Sequence, residues 1–303
     1  MSKCSGRFAT DLANALERPV FNRQLGKDVG RGDLDYEVYL QTKSLFELQI
    51  KREVAAPDEH LFQVMHQTQE LWLKAIAFDT ISLVDAFDED HLHEASALLE
   101  RIVLVQRSLA SEMRILQTLT PKTFQAIRRN LGNGSGLESP GYNRLLLATD
   151  AVEQAFTRAL ERTGTSIVEL YATERQEQAG LLRVAELLVD WDEAFQTWLV
   201  AHFMLVRRTI GVDREVLALD GFPTRALAPR MTAPLFPALW DARVKLTKAW
   251  VREGGYPIGA PRVGSGCKVH APNATEAAAA NGNSPSTQAP GVTQFGADAD
   301  GAR

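Results

Sequence analysis

Cysteine is almost missing from this chain: there are two in 303 residues, Cys4 and Cys267, each in a polar or Gly-rich terminal segment. That scarcity excludes a disulfide scaffold and a cysteine-built metal site. Long apolar runs are missing too. No stretch reaches the ~18 uninterrupted apolar residues of a membrane span, and Met1 to Thr10 lacks the apolar core of a signal peptide, so the expectation is a cytoplasmic protein with no membrane partner. Surplus positive charge is also absent. With 33 Lys and Arg against 38 Asp and Glu, the net charge of -5 argues against nucleic acid as a partner. There is no Gly-x-Ser-x-Gly elbow, no Walker phosphate loop and no His-Glu-x-x-His zinc motif. The paired Glu-x-x-His set of a di-iron bundle is not found either. Strand-like alternation is nearly absent, and no repeat of fixed period is visible.

What is present is helical periodicity. The fold class expected is all-α, a helical bundle in residues 34–252, with an irregular N-terminal arm over 1–33. From Glu253 onward Gly, Ala, Pro, Ser and Asn dominate, so 253–303 is expected to be a disordered tail. Pro57-Asp-Glu opens a strong helix running to about Val84, since proline suits a first turn and acidic side chains favour the positive end of the helix dipole. A further helix carries Leu98, Ile102, Val105, Leu109, Met113 and Leu116 in steps of three and four. Thr120-Pro121 caps a shorter one that holds Phe124 and Arg128 one turn apart and ends in Gly132-Asn-Gly-Ser-Gly136. Helices are expected around 139–162 and 175–210, then a Pro-containing loop over 213–234, then a last helix from Pro237 to Val251. No Gly or Pro interrupts the chain between Gly180 and Gly211, which allows one helix of about 45 Å. Its apolar face reads Leu188, Trp191, Phe195, Trp198, His202, Leu205 and Thr209.

That face places an imidazole, His202, among large apolar residues. A buried imidazole needs a partner for its ring nitrogens, and two readings are open: a hydrogen-bonded core histidine or a metal ligand. Of the six histidines, only His66 and His202 lie on mainly apolar faces of strong helices. Phe62 shares a face with His66, four residues before it. One imidazole ligating iron and another over the open face describes a haem site, with Arg128 as an anion anchor beside a Gly-rich turn.

The residues also resemble a known family. Met65-His66-Gln67-Thr68-Gln69-Glu70-Leu71-Trp72 resembles the His-Gln-Thr-Ser/Ala-Glu-Leu-Trp signature of the tryptophan 2,3-dioxygenases, with Phe62 at the matching position before it. Leu34-x-Tyr36-x-x-Tyr39-Leu40, Arg128-x-x-Leu131-Gly132-x-x-Ser135-Gly136-x-x-Ser139, Trp198-x-x-x-His202-x-x-x-Val206-x-Arg208-x-Ile210-Gly211 and Leu235-Phe236-Pro237-x-Leu239-Trp240 resemble further blocks of that family, in its order. The resemblance implies an all-helical protein with haem b in its core and O2 as co-substrate. It implies a homotetramer in which N-terminal segments complete neighbouring sites. By carry-over, His202 is the axial ligand and His66 the distal catalytic residue. Phe62 and Phe124 pack on the substrate ring, Arg128 holds its carboxylate, and Tyr36 and Tyr39 reach in from an adjacent subunit. Ser135 and Trp198 then lie on the cofactor side.

Two departures bear on substrate. The family commonly carries Tyr one turn before the arginine, where this chain has Phe124, and the missing hydrogen bond is worth roughly 0.5–1.5 kcal/mol. After Gly211 the family carries a Gly-Thr-Gly-Gly-Thr-like loop whose threonine contacts the amino acid. Here the chain reads Val212-Asp-Arg-Glu-Val-Leu-Ala-Leu-Asp-Gly-Phe-Pro223. The activity implied is oxygen insertion into the indole ring of tryptophan or a substituted tryptophan. The alternatives are a haem-dependent monooxygenase giving an oxindole-type product or hydroxylating tyrosine, and, without turnover, a haem sensor or helical scaffold.

Overall fold

The computed structural model describes residues 4–16, 34–173, 176–251 and 258–260. Among them every regular element is helical, and the only extended pairing is an isolated bridge between Leu217 and Pro223. In chain order the α-helices are α1 (Cys4–Leu16), α2 (Asp35–Leu40), α3 (Thr42–Phe46), α4 (Glu59–Asp88), α5 (Leu92–Leu116), α6 (Pro121–Arg128), α7 (Pro140–Thr163), α8 (Ile167–Ala172), α9 (Ala179–Thr209) and α10 (Pro237–Ala249). Short 3-10 turns cover Gly136–Glu138, Gln176–Gln178 and Thr224–Thr232. The chain divides into two compact units, Met1–Trp240 and Asp241–Arg303. The second holds the later turns of α10, and the expected tail lies almost wholly outside the described residues.

Four long helices build the body: α9 packs along α5, while α4 packs against both α5 and α7. Each buries one stripe at helical spacing. On α4 it is Met65, Gln69, Leu73, Ile76, Thr80, Leu83 and Phe87; on α7 it is Leu145, Thr149, Val152, Phe156 and Leu160. The stripe expected on α9 is buried at Leu188, Trp191, Phe195, Trp198, Leu205 and Thr209, with His202 half-buried within it. Burying each Leu, Ile or Phe stabilises the fold by about 1.5–3 kcal/mol relative to exposure.

A buried carboxylate ties the last block to this core. Asp192, on α9, is fully buried. Its Oδ2 accepts hydrogen bonds from the Leu235 and Phe236 amides at 2.9 and 3.1 Å and from the Trp240 indole at 2.8 Å, while Oδ1 accepts from Gln196 at 2.9 Å. The Leu235–Trp240 motif is therefore the set of groups that neutralises one buried acid.

Three expectations need correction. Residues 4–16 are not irregular but form α1, because Ala9, Leu12, Ala13, Ala15 and Leu16 supply helix propensity and Phe8, Leu12 and Leu16 recur at helical spacing. The long helix starts at Ala179, later than expected, and the short α8 precedes it, opened by Ser166 accepting from the Glu169 amide; residues 174–175 lie outside the described residues. Residues 224–232 form a 3-10 turn where only a loop was expected. The rest of the N-terminal arm, 17–33, lies outside the described residues.

Candidate active site

α4 and α9 carry the two imidazoles. The two helices are linked by Gln69, whose Oε1 accepts from the Trp198 indole at 3.3 Å and whose amide nitrogen donates to the Met113 sulfur at 3.2 Å. Trp198 is buried and also meets the rings of Tyr142 and Phe195, so it fixes the turn of α9 that precedes His202.

His202 is pushed down to a pKa of about 4, first by burial and then by the charge that His66 would carry. The second cause means that the two rings lie close enough to act on each other electrostatically. His202 is therefore a neutral base at neutral pH, and among the described residues neither of its nitrogens makes a hydrogen bond. Its Nε2 is faced by Gly136, where an added Cβ would stand 3.4 Å away. The Gly-rich turn thus approaches this nitrogen with nothing bulkier than backbone.

His66 has a defined tautomer. Its Nδ1 lies 2.7 Å from the Phe62 carbonyl, which can only accept, so Nδ1 carries the hydrogen and Nε2 keeps its lone pair. Burial lowers its pKa, opposed by that hydrogen bond and by the charge of Glu70. The residue nevertheless keeps an exposed surface. The Phe62 ring sits 4.0 Å from the His66 ring, and Phe124, on α6, is 6.1 Å from Phe62. Arg128, one turn on, is half-buried, and no carboxylate among the described residues pairs with it; its Nη2 donates to the Leu217 carbonyl at 2.7 Å. The structure thus brings Phe62, His66 and Phe124 together, couples His202 to them, and places Arg128 on the same turn system. Ser135 caps the 3-10 turn beside His202, accepting from the Leu137 amide at 3.2 Å. Tyr36 and Tyr39, on α2, are 70% and 87% exposed.

Two acids on α4 hold the loop between α6 and α7 at both ends, and sequence reasoning passed over their roles. Glu59, nearly fully buried, accepts from the Ala56 amide at 2.8 Å and from the Asn130 side chain at 3.1 Å. Eleven residues on, or about three turns, Glu70 accepts from the Ser139 hydroxyl and, at 2.8 Å, from the Gly141 amide. Residues 132–136 cross His202 between these anchors. The visible signal was Gly141 in the first turn of a helix: a Cβ there would meet Glu70 Oε2 at 2.7 Å and Leu73 Cβ at 2.8 Å. The two threonines after the changed loop are occupied elsewhere. Thr224 is buried against Asp213, and the Thr232 hydroxyl donates to the Pro229 carbonyl at 3.2 Å.

Fold and site define a class: an α-helical protein in which two neutral imidazoles, carried by two long helices, lie close enough to act on each other electrostatically. Comparison with known proteins shows what the chain is similar to. The tryptophan 2,3-dioxygenase profile matches residues 22–150, the span that carries Phe62, His66, Phe124, Arg128 and Ser135. The chain is 28% identical over 265 residues to the tryptophan 2,3-dioxygenase of Rhodococcus jostii (strain RHA1), covering 70% of this chain and 92% of that one. It is 27% identical over 268 residues to that of Myxococcus xanthus (strain DK1622), covering 71% and 91%, and 29% identical over 265 residues to that of Burkholderia ambifaria (strain MC40-6), covering 70% and 84%. At family level the chain is similar to the tryptophan 2,3-dioxygenases, at 27–29% identity. No helix among the described residues is long and apolar enough to cross a membrane.

Proposed function

We propose that the protein is a haem-dependent oxygenase that inserts O2-derived oxygen into the indole ring of tryptophan or a substituted tryptophan. The observation that carries this reading is the pairing of His202, neutral and without a hydrogen bond among the described residues, with His66, which acts on it electrostatically and whose tautomer leaves Nε2 as an acceptor. The residues fit haem b. His202 makes no hydrogen bond among the described residues, and its Nε2 faces Gly136, which carries no side chain; Ser135 precedes that glycine and Trp198 lies one turn before the histidine. Among the described residues no three His, Cys, Asp or Glu side chains gather, so a single imidazole is the protein ligand on offer. Haem supplies the activation of O2 when bound.

This chain's own residues then do the positioning. His66 Nε2 accepts the indole N–H, because Phe62 holds the other ring nitrogen as the donor. Phe62 and Phe124 enclose the ring, and Arg128 takes the carboxylate through charge-assisted hydrogen bonds that its present contact with Leu217 leaves available. The exposed Tyr36 and Tyr39 are the groups with which each chain of a homotetramer completes its neighbour's site. A second reading, insertion of one oxygen to give an oxindole-type product, is favoured by the Leu217 loop, which replaces the family's glycine- and threonine-rich segment beside Arg128. The test is an absorption spectrum of the purified protein followed by turnover of tryptophan, β-methyltryptophan and tyrosine under O2 and reductant. A Soret band and a product heavier by two oxygens support the first reading; a gain of one oxygen supports the second. A protein without haem, or one that retains a full haem complement as His202→Ala, refutes the assignment.

A further inference from the structure

The backbone in front of His202 is fixed more closely from one end than from the other. Gly136 is the residue that faces the ring, and an added Cβ there would stand 3.4 Å from Nε2 and 3.7 Å from Cε1. One 3-10 turn later, the Ser139 amide donates to the Gly136 carbonyl at 3.3 Å. The Ser139 hydroxyl accepts from the Tyr142 amide at 3.0 Å and donates to Glu70 Oε1. Glu70 Oε2 accepts from the Gly141 amide at 2.8 Å. Asn143 closes the turn from α7, its side chain donating to the Leu137 carbonyl at 3.0 Å and the Ser139 carbonyl at 2.9 Å. An unbroken line of hydrogen bonds thus runs from the Glu70 carboxylate to the carbonyl of Gly136.

The other end has more give. Glu59 reaches the loop through Asn130, and Gly132, with φ +59°, and Gly134 lie between that contact and Gly136. Glycines absorb backbone adjustment at little steric cost, so they cushion Gly136 against a shift at Asn130. A shift at Ser139 passes through a single hydrogen-bonded turn and is carried to Gly136 directly.

We propose that Glu70 is the positioning residue that sets the clearance between the Gly136 backbone and His202 Nε2, and with it the room for a flat ligand on that nitrogen. The inference rests on the proposed reading of His202 as the haem ligand. Glu70 lies on α4 one turn after His66, so one carboxylate ties the helix that carries the first imidazole to the backbone that faces the second. Its chemistry suits the task. A carboxylate offers acceptors only, one oxygen for each of the two donors, whereas a glutamine of the same shape would turn an amide N–H toward one of them.

The experiment follows the Soret band as haem passes from the full chain to an excess of a haem-scavenging apoprotein. Loss of hydrogen bonds to a charged group predicts release about tenfold faster from Glu70→Gln and from Ser139→Ala, with little further gain when the two are combined, because both break one link. Ser139→Thr keeps the hydroxyl and the wild-type rate. Arg158→Ala cuts the Asp88 ion pair that joins the same two helices at their far end, and its release stays close to wild type. Wild-type release from Glu70→Gln overturns the inference. So does release from Arg158→Ala as fast as from Glu70→Gln, since retention then follows helix packing and not the loop. A second readout needs no haem: acylation of His202 by diethyl pyrocarbonate in the haem-free chain, located by peptide mass, is severalfold faster in Glu70→Gln. Equal acylation overturns the placement of Gly136 by Glu70 whether or not haem binds. A wild type that takes up no haem, with the faster acylation in Glu70→Gln, refutes the proposed function and keeps the positioning role.

Discussion

Gly141→Ala is the sharpest structural test of how the site is held. Elsewhere in a helix this change stabilises by up to about 1 kcal/mol, because alanine has the higher propensity. Here the new Cβ would lie 2.7 Å from Glu70 Oε2, 2.8 Å from Leu73 Cβ and 3.0 Å from Leu73 Cδ1. The Glu70 tip can swing aside, but Leu73 is fully buried on α4 and its Cβ moves only with the backbone. α7 must therefore back away from α4, an overpacking cost of about 1–3 kcal/mol. Moving off also stretches the charge-assisted bonds that Glu70 makes to Ser139 and the Gly141 amide, each worth roughly 1.5–3 kcal/mol when intact. With partial loss of those bonds and the propensity gain set against them, the expected net destabilisation is about 2–4 kcal/mol, or roughly 5–15 °C in Tm for a body of this size. Urea and thermal unfolding followed by circular dichroism measure it. Gly164→Ala is the control: no atom lies within 4 Å of its Cβ, and only the left-handed φ of +64° opposes it, at about 1–2 kcal/mol. Combining Gly141→Ala with Glu70→Ala gives no rescue, since Leu73 still blocks the methyl. A Gly141→Ala protein within about 0.5 kcal/mol of wild type would refute the argument, because that is the range of an unconstrained surface change.

Three other outcomes follow from the geometry. Gly136→Ala sets a methyl 3.4 Å from His202 Nε2, an ordinary contact for the fold but an obstacle to a flat ligand, so haem per chain falls severalfold while Tm changes little; full haem occupancy counts against the placement. Asp192→Ala strands the Leu235 and Phe236 amides and the Trp240 indole in the core and costs about 3–5 kcal/mol in urea unfolding, and a cost below 1 kcal/mol contradicts the role given to that acid. For His66 the sign is set by its lowered pKa: the neutral ring persists below the ordinary 6.5, and only as pH falls through the lowered value does Nε2 gain a proton and stop accepting. The acid limb of kcat/KM therefore lies below pH 6.5, and a midpoint at or above that value excludes His66 as the acceptor.

What could be read from the chain was what is local. The α9 stripe from Leu188 to Thr209 and the Phe62–His66 pair follow from spacings of three and four, and Thr120-Pro121 announces α6 through its own cap. The contacts that assemble the site join residues far apart in sequence: Glu59 with Asn130, Glu70 with Gly141, Trp198 with Gln69, and Arg128 with Leu217. No periodicity marks such pairs. The two acids on α4 look like ordinary solvated positions until the loop they hold is folded over them. The Leu235–Trp240 block was visible as a motif, but its cause, a carboxylate 43 to 48 residues earlier, was not.

The changed loop shows that a departure from a family pattern in side chains is not the same as a lost backbone order. Judged by side chains, Val212 to Pro223 offers no hydroxyl where the family's threonine stands, and the clamp looks dismantled. Judged by main chain, it offers an outward carbonyl and amide at Leu217, fixed by two flanking hydrogen bonds and a buried threonine at the base. Backbone groups carry no residue code, so an element built from them leaves its trace only in what shapes the backbone. Here those traces are Gly221 at the turn, Asp220 capping it, and Thr224 bracing Asp213. A chain that altered these three while keeping leucine at 217 would lose the geometry; one that kept them and changed Leu217 would not.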